Sequence, residues 1–524
     1  MKLICLVASL IGALTWGTTA KAENYFCTKK LDSLPILQNG RIKPLYVHAS
    51  ETLKNLTGSS KYDKLSAVET YCLLSSKRLG LPSTINLVSK IEHVELQKFL
   101  RVEEQKKIDY ESLLTQFDAL NMEMRSIKNN ESYQKAISKL LNNILLYNDI
   151  LNGENWKVYS PQTSLQANKE LALSESFQSF AEYFTEDKVI AQKNVTPLDP
   201  FGPILERTKN EFIRDHGDHY LIELTYAKLN LVSYSLMVTC LALASFVLLR
   251  NYFKVTLALS FLTLIMQIVL MTLRILVSQR APITNMYETV MFSGSFALLM
   301  SLILGHLKQA NLLVFFGLIY NFLSLMMLNF ANGMLSATIG PLVPVLRDNF
   351  WLSTHVTTVI ASYGAFALSW ILSNYVLIKK KWFKHLYQIK EEQEIVQLNY
   401  TTLKWGTVTL ALGIILGGVW ADYSWGRFWG WDPKETWSLI VLCIYMAILH
   451  GRYTSWIKND RFITFTAAAF LSVMMAWFGV NYILATGLHS YGFSEGGAIF
   501  LGSFFAIQIA IIILTYKKEK ITTA

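Results

Sequence analysis

The chain has 524 residues, of which 52% are hydrophobic and only 16% are charged, and its mean hydropathy is +0.30. These values exclude an ordinary soluble globular protein and indicate a protein that crosses a membrane several times. The formal net charge of +10 does not point to nucleic acid, because surplus Lys and Arg in a membrane protein collect in cytoplasmic loops and no nucleic-acid-binding motif is present.

Residues 1–22 have the pattern of a secretory signal. Lys2 precedes an apolar stretch from Leu3 to Leu14, and the small-residue site Ala20-Lys21-Ala22 follows. The segment after this signal is therefore predicted to be exported. An uncleaved membrane anchor is the alternative, because a lysine lies within the cleavage site.

Residues 23–228 are polar and are predicted to form one exported, mostly helical domain. Apolar residues recur at helical spacing from Tyr133 to Leu145, after Asn129-Asn130 and before the stop signal Asn152-Gly153. A second amphipathic stretch covers about 87–124. No catalytic constellation is evident in this domain.

The exported domain offers few groups for chemistry. Its cysteines, Cys27 and Cys72, could form a disulfide, and no Cys-x-x-Cys pair occurs in the chain, which excludes a dithiol oxidoreductase and a covalent c-type haem site. The run Asp215-His216-Gly217-Asp218-His219 has metal-ligand residue types, but its central glycine favours a solvated loop. His48 and His93 lack an aromatic or ligand context and are predicted to be surface residues.

Residues 229–524 alternate apolar segments with short loops and are predicted to form a membrane domain. The fold class is therefore all-α: a polytopic helical bundle of about nine spans that follows the exported domain. Each segment is long enough, or nearly so, to cross about 30 Å of hydrocarbon. The predicted spans are 231–249, 255–277, 286–304, 311–329, 354–378, 404–420, 437–450, 462–484 and 497–515.

The distribution of basic residues predicts the orientation of these spans. If residue 230 is outside, most loop Lys and Arg are inside, which agrees with the positive-inside rule and with an exported N-terminal domain. The histidines His355 and His489 then border the outer face, and His450 lies at the inner end of a span. The outside loops contain only four basic residues: Arg280, Arg347, Arg427 and Lys434.

Four tryptophans lie between Trp425 and Trp437, in the string Trp-Gly-Arg-Phe-Trp-Gly-Trp-Asp-Pro-Lys-Glu-Thr-Trp. Indole rings are wide and flat, and Gly426, Gly430 and Pro433 shape the backbone so that several rings could bind one flat apolar ligand. An interfacial belt that anchors helix ends is the alternative for any single tryptophan.

This string resembles the WWD signature of the haem-handling membrane proteins of cytochrome c maturation, which include the CcsA-type proteins of the system II pathway. The resemblance covers about residues 250–515. The stretch 281–288 also resembles the family, although Arg280 stands where many members carry a histidine. Asn285 and Glu288 have the spacing of a helix cap, which is a sufficient structural role for them.

The resemblance also assigns haem ligands. In the family, an external histidine on each side of the WWD loop holds the iron and an intramembrane histidine binds haem on its way outward. These roles fall to His355, in Trp-Leu-Ser-Thr-His-Val, to His489, in Gly-Leu-His-Ser-Tyr, and to His450. Neutral imidazole is a common axial ligand of haem iron. Histidines that snorkel at helix ends are the alternative.

The tryptophan string supplies the remaining expected haem contacts. Trp425, Trp429 and Trp431 would form the platform under the porphyrin. Asp432 is expected to fix the turn, and two basic side chains could pair with the haem propionates or with lipid phosphate. These basic residues are Arg427 and Lys434.

The resemblance implies a haem-binding subunit of a cytochrome c synthase, a haem lyase, in the bacterial inner membrane, with the N-terminal domain and the WWD loop on the periplasmic side. Haem b would be delivered non-covalently to the outer face and presented to Cys-x-x-Cys-His apocytochromes. The expected partners are a CcsB (ResB)-like membrane subunit, apocytochrome c and a thiol-reducing thioredoxin-like protein. The alternatives are a haem exporter or chaperone without synthase activity, an electron-transfer haem protein and a structural scaffold.

Overall fold

The computed structural model describes residues 29–38, 40–77, 85–127, 130–160, 176–184, 202–331, 333–340, 348–484 and 497–515. The chain divides into two compact units, Met1–Ala227 and Lys228–Ala524. The predicted signal at 1–22, Cys27 and His489 lie outside the described residues.

The first unit is mainly helical. Apolar side chains from most of its helices and from the first strand form one large buried core, which includes Leu45, Tyr71 and Trp156. Its helices are Leu45–Thr57, Ala67–Ser75, Val94–Phe99, Tyr110–Thr115, Phe117–Ser126, Glu131–Leu151, Phe180–Tyr183 and Gly202–His216, and the helix Leu221–Leu229 includes the residues at which the two units divide.

Two small antiparallel sheets accompany these helices. Gly40, with a φ of +74°, connects the first two strands of the larger sheet. Strands of three or four residues are too short to show a period-2 pattern, so the sequence did not predict them. The larger sheet has the order Arg41–Pro44, Pro35–Gln38, Lys157–Tyr159, Phe177–Ser179, and the smaller one pairs Val88–Lys90 with Lys107–Asp109.

The helix Glu131–Leu151 begins and ends where the sequence predicts. The Asn130 side chain accepts a hydrogen bond from the Tyr133 amide at 3.1 Å, and Gly153 follows the helix with a φ of +68°. Most of the predicted apolar stripe is buried, whereas Leu145 is exposed. The stretch 87–124, by contrast, is not one continuous helix, because two short strands interrupt it.

The prediction that His48 is a surface residue is wrong. His48 is fully buried, with Nδ1 2.7 Å from Gln38 Oε1 and Nε2 2.8 Å from both the Tyr71 hydroxyl and Asn155 Oδ1. Burial, together with the nearby charge of Lys43, lowers the pKa of His48 to about 3. The imidazole is therefore a neutral member of a buried polar network, whose partners are far apart in the sequence.

Two other expectations concern possible metal and disulfide sites. The helix Gly202–His216 ends just before Gly217, whose φ is +84°, so the histidine-rich run continues outside the helix as predicted. Within the described ranges, no cluster of three or more His, Cys, Asp or Glu side chains could hold a metal ion. Cys72 is buried and disulfide-bonded, but its expected partner lies outside these ranges.

The second unit is a helical membrane domain. In the part of the chain that the structure describes, nine helices are long and apolar enough to cross a membrane, which confirms the predicted all-α, multi-pass class. In order, the first to ninth spans are Leu221–Leu248, Phe253–Ser278, Met286–Leu307, Asn311–Phe330, Asn349–Trp382, Ile389–Trp425, Pro433–Tyr453, Asn459–Tyr482 and Gly497–Thr515.

Candidate functional site

A cleft in the membrane unit is lined by residues at or near the ends of five spans. It contains about 1220 Å³ of empty space, counting the part that is open to solvent. Most of its lining is apolar or aromatic, with a few polar side chains, as is typical of a small-molecule site. The polar and charged side chains of the lining are Thr284, Asn285, Thr289, His355, Lys434, Glu435, Ser438 and Asn481.

His355 lies in this cleft on a π-helical turn, Leu352–Val356, near the start of the fifth span. Its Nδ1 atom is 2.8 Å from the carbonyl oxygen of Gly413. Because a carbonyl oxygen can only accept, Nδ1 carries the proton, and the lone pair of a neutral ring is then on Nε2. This hydrogen bond fixes the tautomer of His355 in which Nε2, not Nδ1, could bind a metal ion.

The sixth span approaches the histidine through glycines. Gly413 and Gly417 form a small-xxx-small pattern, which lets two membrane helices pack closely. A β-carbon on Gly413 would lie 2.7 Å from the side chain of Val359, and one on Gly418 would lie 2.4 Å from the ring of Phe428. The glycines therefore make room for side chains that line the cleft.

The tryptophan loop contributes two of the three predicted platform residues to the cleft. Trp425 and Trp429 line it, whereas Trp431 is 70% exposed, is absent from the lining and meets Trp429 edge-on at 5.9 Å. Trp431 also has a φ of +58°, which is unusual for a bulky side chain. The backbone at this position turns its indole away from the cleft.

Two further tryptophans, which the sequence did not single out, also line the cleft. Trp420 is almost fully buried, and its ring centre is 5.8 Å from that of His355. Trp477 lies on a second π-helical turn, Met475–Gly479, and its indole donates to the Thr289 hydroxyl at 3.1 Å. Trp420 lies only five residues before Trp425, and this proximity is the feature of the sequence that could have indicated its place in the cleft. For Trp477 the sequence offers no such feature beyond the residue type.

Asp432 fixes the start of the seventh span, as predicted. Its carboxylate accepts hydrogen bonds from the amides of Lys434 and Glu435, both at 2.9 Å. Lys434 lines the cleft, with Nζ 3.4 Å from Asn481 Oδ1. Arg427 does not line the cleft: its guanidinium lies 5.9 Å from the Trp425 ring and 4.0 Å from Glu435.

The wall formed by the start of the third span is held by a buried ion pair. Arg274 donates to Glu288 at 2.5 Å, and both side chains are almost completely buried. Glu288 also accepts from the amide of Thr284 at 2.6 Å, and Asn285 caps the helix by accepting from the Glu288 amide at 2.9 Å. The expected cap is confirmed, and the charged pair adds a link to the second span.

His450 lies at the opposite end of the seventh span. It is sixteen residues after Lys434, which corresponds to about 24 Å along a helix. His450 is exposed on the surface of the unit, and its backbone carbonyl accepts from the Thr454 amide at 2.9 Å. The structure therefore does not bring His450 to the cleft, and His489 lies outside the described residues.

The fold and the cleft define a multi-pass helical membrane protein with one histidine and several indoles around an apolar site. A family model described as cytochrome C assembly protein matches residues 283–489, which include both sides of this cleft. The chain belongs to this family, and within it to the CcsA-type cytochrome c biogenesis proteins. Its role is therefore in cytochrome c biogenesis, a process that handles haem.

Individual relatives agree with this assignment. The chain is 34% identical to cytochrome c biogenesis protein CcsA of Guillardia theta over 237 residues, which cover 40% of this chain and 76% of the relative. It is 30% identical to CcsA of Chlamydomonas reinhardtii over 314 residues, or 56% of this chain and 79% of the relative. The chain is 42% identical to protein NrfI of Wolinella succinogenes over 153 residues, which cover 29% of this chain and 17% of the relative.

Proposed function

We propose that this protein is the haem-binding membrane subunit of a cytochrome c synthase and that the cleft around His355 is its external haem site. The observation that carries this proposal is the orientation of His355. Its ring lies in an aromatic cleft with Nδ1 bound to the Gly413 carbonyl, so Nε2 has the lone pair that an iron ligand needs.

The residues of the cleft fit a planar, largely apolar ligand with carboxylate groups at one edge. Trp425, Trp429 and Trp420 supply wide aromatic faces, and Lys434 supplies a cation at the cleft wall. Lys434 is therefore the side chain in the cleft suited to a propionate. His489 is the proposed second axial ligand, by resemblance to the family.

The proposed chemistry is the addition of two cysteine thiols of an apocytochrome to the two vinyl groups of haem b. In each addition a sulfur–carbon bond forms and the thiol hydrogen goes to the other vinyl carbon, so no electrons are exchanged. The task of this chain is positioning: holding both reactants in attack geometry can supply on the order of 7–11 kcal/mol of the barrier.

The proposed arrangement in the membrane follows from the charge distribution. The chain would lie in the bacterial inner membrane with the tryptophan loop and the exported domain on the periplasmic side. His450, about 24 Å from the cleft along the seventh span, would bind haem near the opposite face before it reaches His355. A CcsB-like subunit, apocytochrome c and a thioredoxin-like thiol reductant would complete the system.

The first test is an absorption spectrum of the detergent-purified full chain. The parent is expected to contain haem, and His355→Ala is expected to lose most of it or to change the position of the Soret band. His385→Ala is the matched control, because His385 is exposed and far from the cleft in the sequence. A His355→Ala protein with the haem content and spectrum of the parent would contradict the proposal.

The second test separates the synthase from a haem exporter or chaperone. The chain is co-expressed with the CcsB-like subunit and an exported apocytochrome, and covalently bound haem is measured on the cytochrome. Covalent product that depends on His355 supports the synthase. Haem bound by this chain, with no covalent product in the presence of its partner, supports the exporter instead.

A further inference from the structure

The carboxylate of Glu435 organises the backbone of the tryptophan loop. One of its oxygens, Oε2, accepts a hydrogen bond from the Gly430 amide at 2.7 Å and a longer one from the Asp432 amide at 3.4 Å. Trp431 lies between these two residues with a φ of +58°. When a residue with a positive φ follows one with a negative φ, the backbone amides on either side can point toward the same anion. This anion-binding turn is called a nest. Here the anion is a side chain of the protein.

The Arg427 guanidinium lies next to the same part of the loop. It occupies the position that a β-carbon on Gly430 would take. The same guanidinium lies 4.0 Å from the Glu435 carboxylate and 5.9 Å from the Trp425 ring centre. The tryptophan string itself therefore supplies both the anion and the cation that lie next to this turn.

The two charged side chains differ in how far they are buried. The Glu435 side chain is only 11% exposed and lines the cleft, whereas the Arg427 side chain is 34% exposed. Glu435 also completes the capping box of the seventh span, because Asp432 accepts its amide while Glu435 accepts that of Asp432. One carboxylate thus connects the start of a membrane span to the turn that carries Trp429 and Trp431.

We propose that Glu435 is the positioning residue of the tryptophan loop: it stabilises the left-handed backbone at Trp431 and thereby keeps Trp429 in the cleft and Trp431 outside it. Arg427 assists by shielding the carboxylate. The effect on haem binding rests on the proposed function, whereas the effect on the loop does not.

Hydrogen exchange of the ligand-free, detergent-solubilised full chain tests this inference directly. Glu435→Ala is expected to raise the exchange rate of the amides at 430 and 432 about tenfold or more. Glu435→Gln is expected to raise it less, because the amide oxygen can still accept a hydrogen bond without the charge. Glu69→Ala is the matched control: Glu69 completes the capping box of Ser66 in the other unit.

Haem titration of the same variants tests the consequence for the site. Glu435→Ala is expected to weaken haem binding about tenfold and to shift the tryptophan fluorescence, while Glu69→Ala leaves both unchanged. Glu435→Gln, which keeps the size of the side chain, replaces Glu435→Ala if that variant does not fold.

The outcomes are distinct. Unchanged exchange at 430 and 432 in Glu435→Ala overturns the inference. Faster exchange with unaltered haem affinity, in a parent that binds haem, also overturns it, because the ordered loop would then not serve the cleft. A parent that binds no haem contradicts the proposed function, and the exchange rates and fluorescence then decide the positioning role by themselves.

Discussion

A β-carbon on Gly417 would lie 2.5 Å from Cε1 of His355 and 2.9 Å from its Nδ1. Real β-carbons essentially never approach other atoms so closely, so the imidazole occupies space that only a glycine leaves free on the sixth span. The position of the candidate iron ligand is therefore set by the absence of a side chain on the neighbouring helix.

Gly417→Ala is expected to displace the His355 ring and to disrupt its hydrogen bond to Gly413. Haem affinity should fall about tenfold or more, with a change in the Soret band of the remaining complex. The matched control is Gly502→Ala in the ninth span, where a β-carbon would meet nothing within 4 Å. Equal haem binding by the two variants would show that the close approach does not matter. Haem titration of the purified chain makes the comparison.

The buried pair Arg274 and Glu288 allows a test of the cleft wall. Arg274→Met leaves a buried carboxylate without its cation and is expected to lower the stability of the membrane unit by about 3–5 kcal/mol. The double variant Arg274→Met with Glu288→Met removes both charges and should regain much of this loss. Thermal unfolding in detergent measures both. A double variant less stable than Arg274→Met would contradict the expectation.

Tyr445 has a buried hydroxyl with no hydrogen-bond partner among the described residues, and its ring stacks on Phe366 at 3.9 Å. Tyr445→Phe is expected to leave stability unchanged or to raise it by up to about 1 kcal/mol, because a buried polar group without a partner is unfavourable. Tyr320→Phe is the control: it breaks a bond of 3.0 Å to Ser293 and should cost about 1 kcal/mol. Thermal unfolding in one detergent ranks the two variants.

The buried His48 predicts a pH dependence of the stability of the first unit. Its pKa is lowered in the folded state, to about 3, so the folded unit resists protonation that the unfolded chain accepts below about 6.5. The stability from this group is complete above pH 6.5 and is lost as the pH falls toward 3, at up to about 1.4 kcal/mol per pH unit.

This loss is measured as the change in the midpoint of thermal unfolding of the first unit between pH 7.5 and pH 5. His48→Gln removes the titrating ring and should show a smaller change than the parent. The same change in both proteins would mean that other groups dominate. Trp156, which is fully buried in this unit, provides a fluorescence signal for its unfolding. The fluorescence of tryptophans in the other unit, such as the 58% exposed Trp405, is subtracted as background.

Much of the membrane unit could be predicted from composition and spacing. A span needs about 20 apolar residues, and this requirement alone located all nine helices. The tryptophan string was recognised from its residue types beside the spans, whereas His355 was selected by resemblance of its surrounding residues to the family. In the structure Trp425, Trp429, Lys434 and His355 line one cleft, and their predicted role in binding haem stays a prediction.

The rest depended on contacts between residues that are distant in the chain or on backbone geometry. His48 is buried by partners as far away as Asn155, which no local pattern reveals. The direction of Trp431 depends on a carboxylate four residues later, and a composition argument treats all indoles of the string alike. Trp477 reaches the cleft through a π-helical turn, whose position hydrophobic periodicity does not show.

Both π-helical turns at the cleft, 352–356 and 475–479, have a consequence for how this site can vary among relatives. Each turn accommodates one residue beyond what a regular α-helix would hold, and each α-helical residue rotates the chain by about 100°. Loss of a single residue there would rotate one part of the helix relative to the other and carry the imidazole or the indole toward another neighbour. Insertions and deletions, as much as substitutions, therefore decide whether a homologue retains this arrangement.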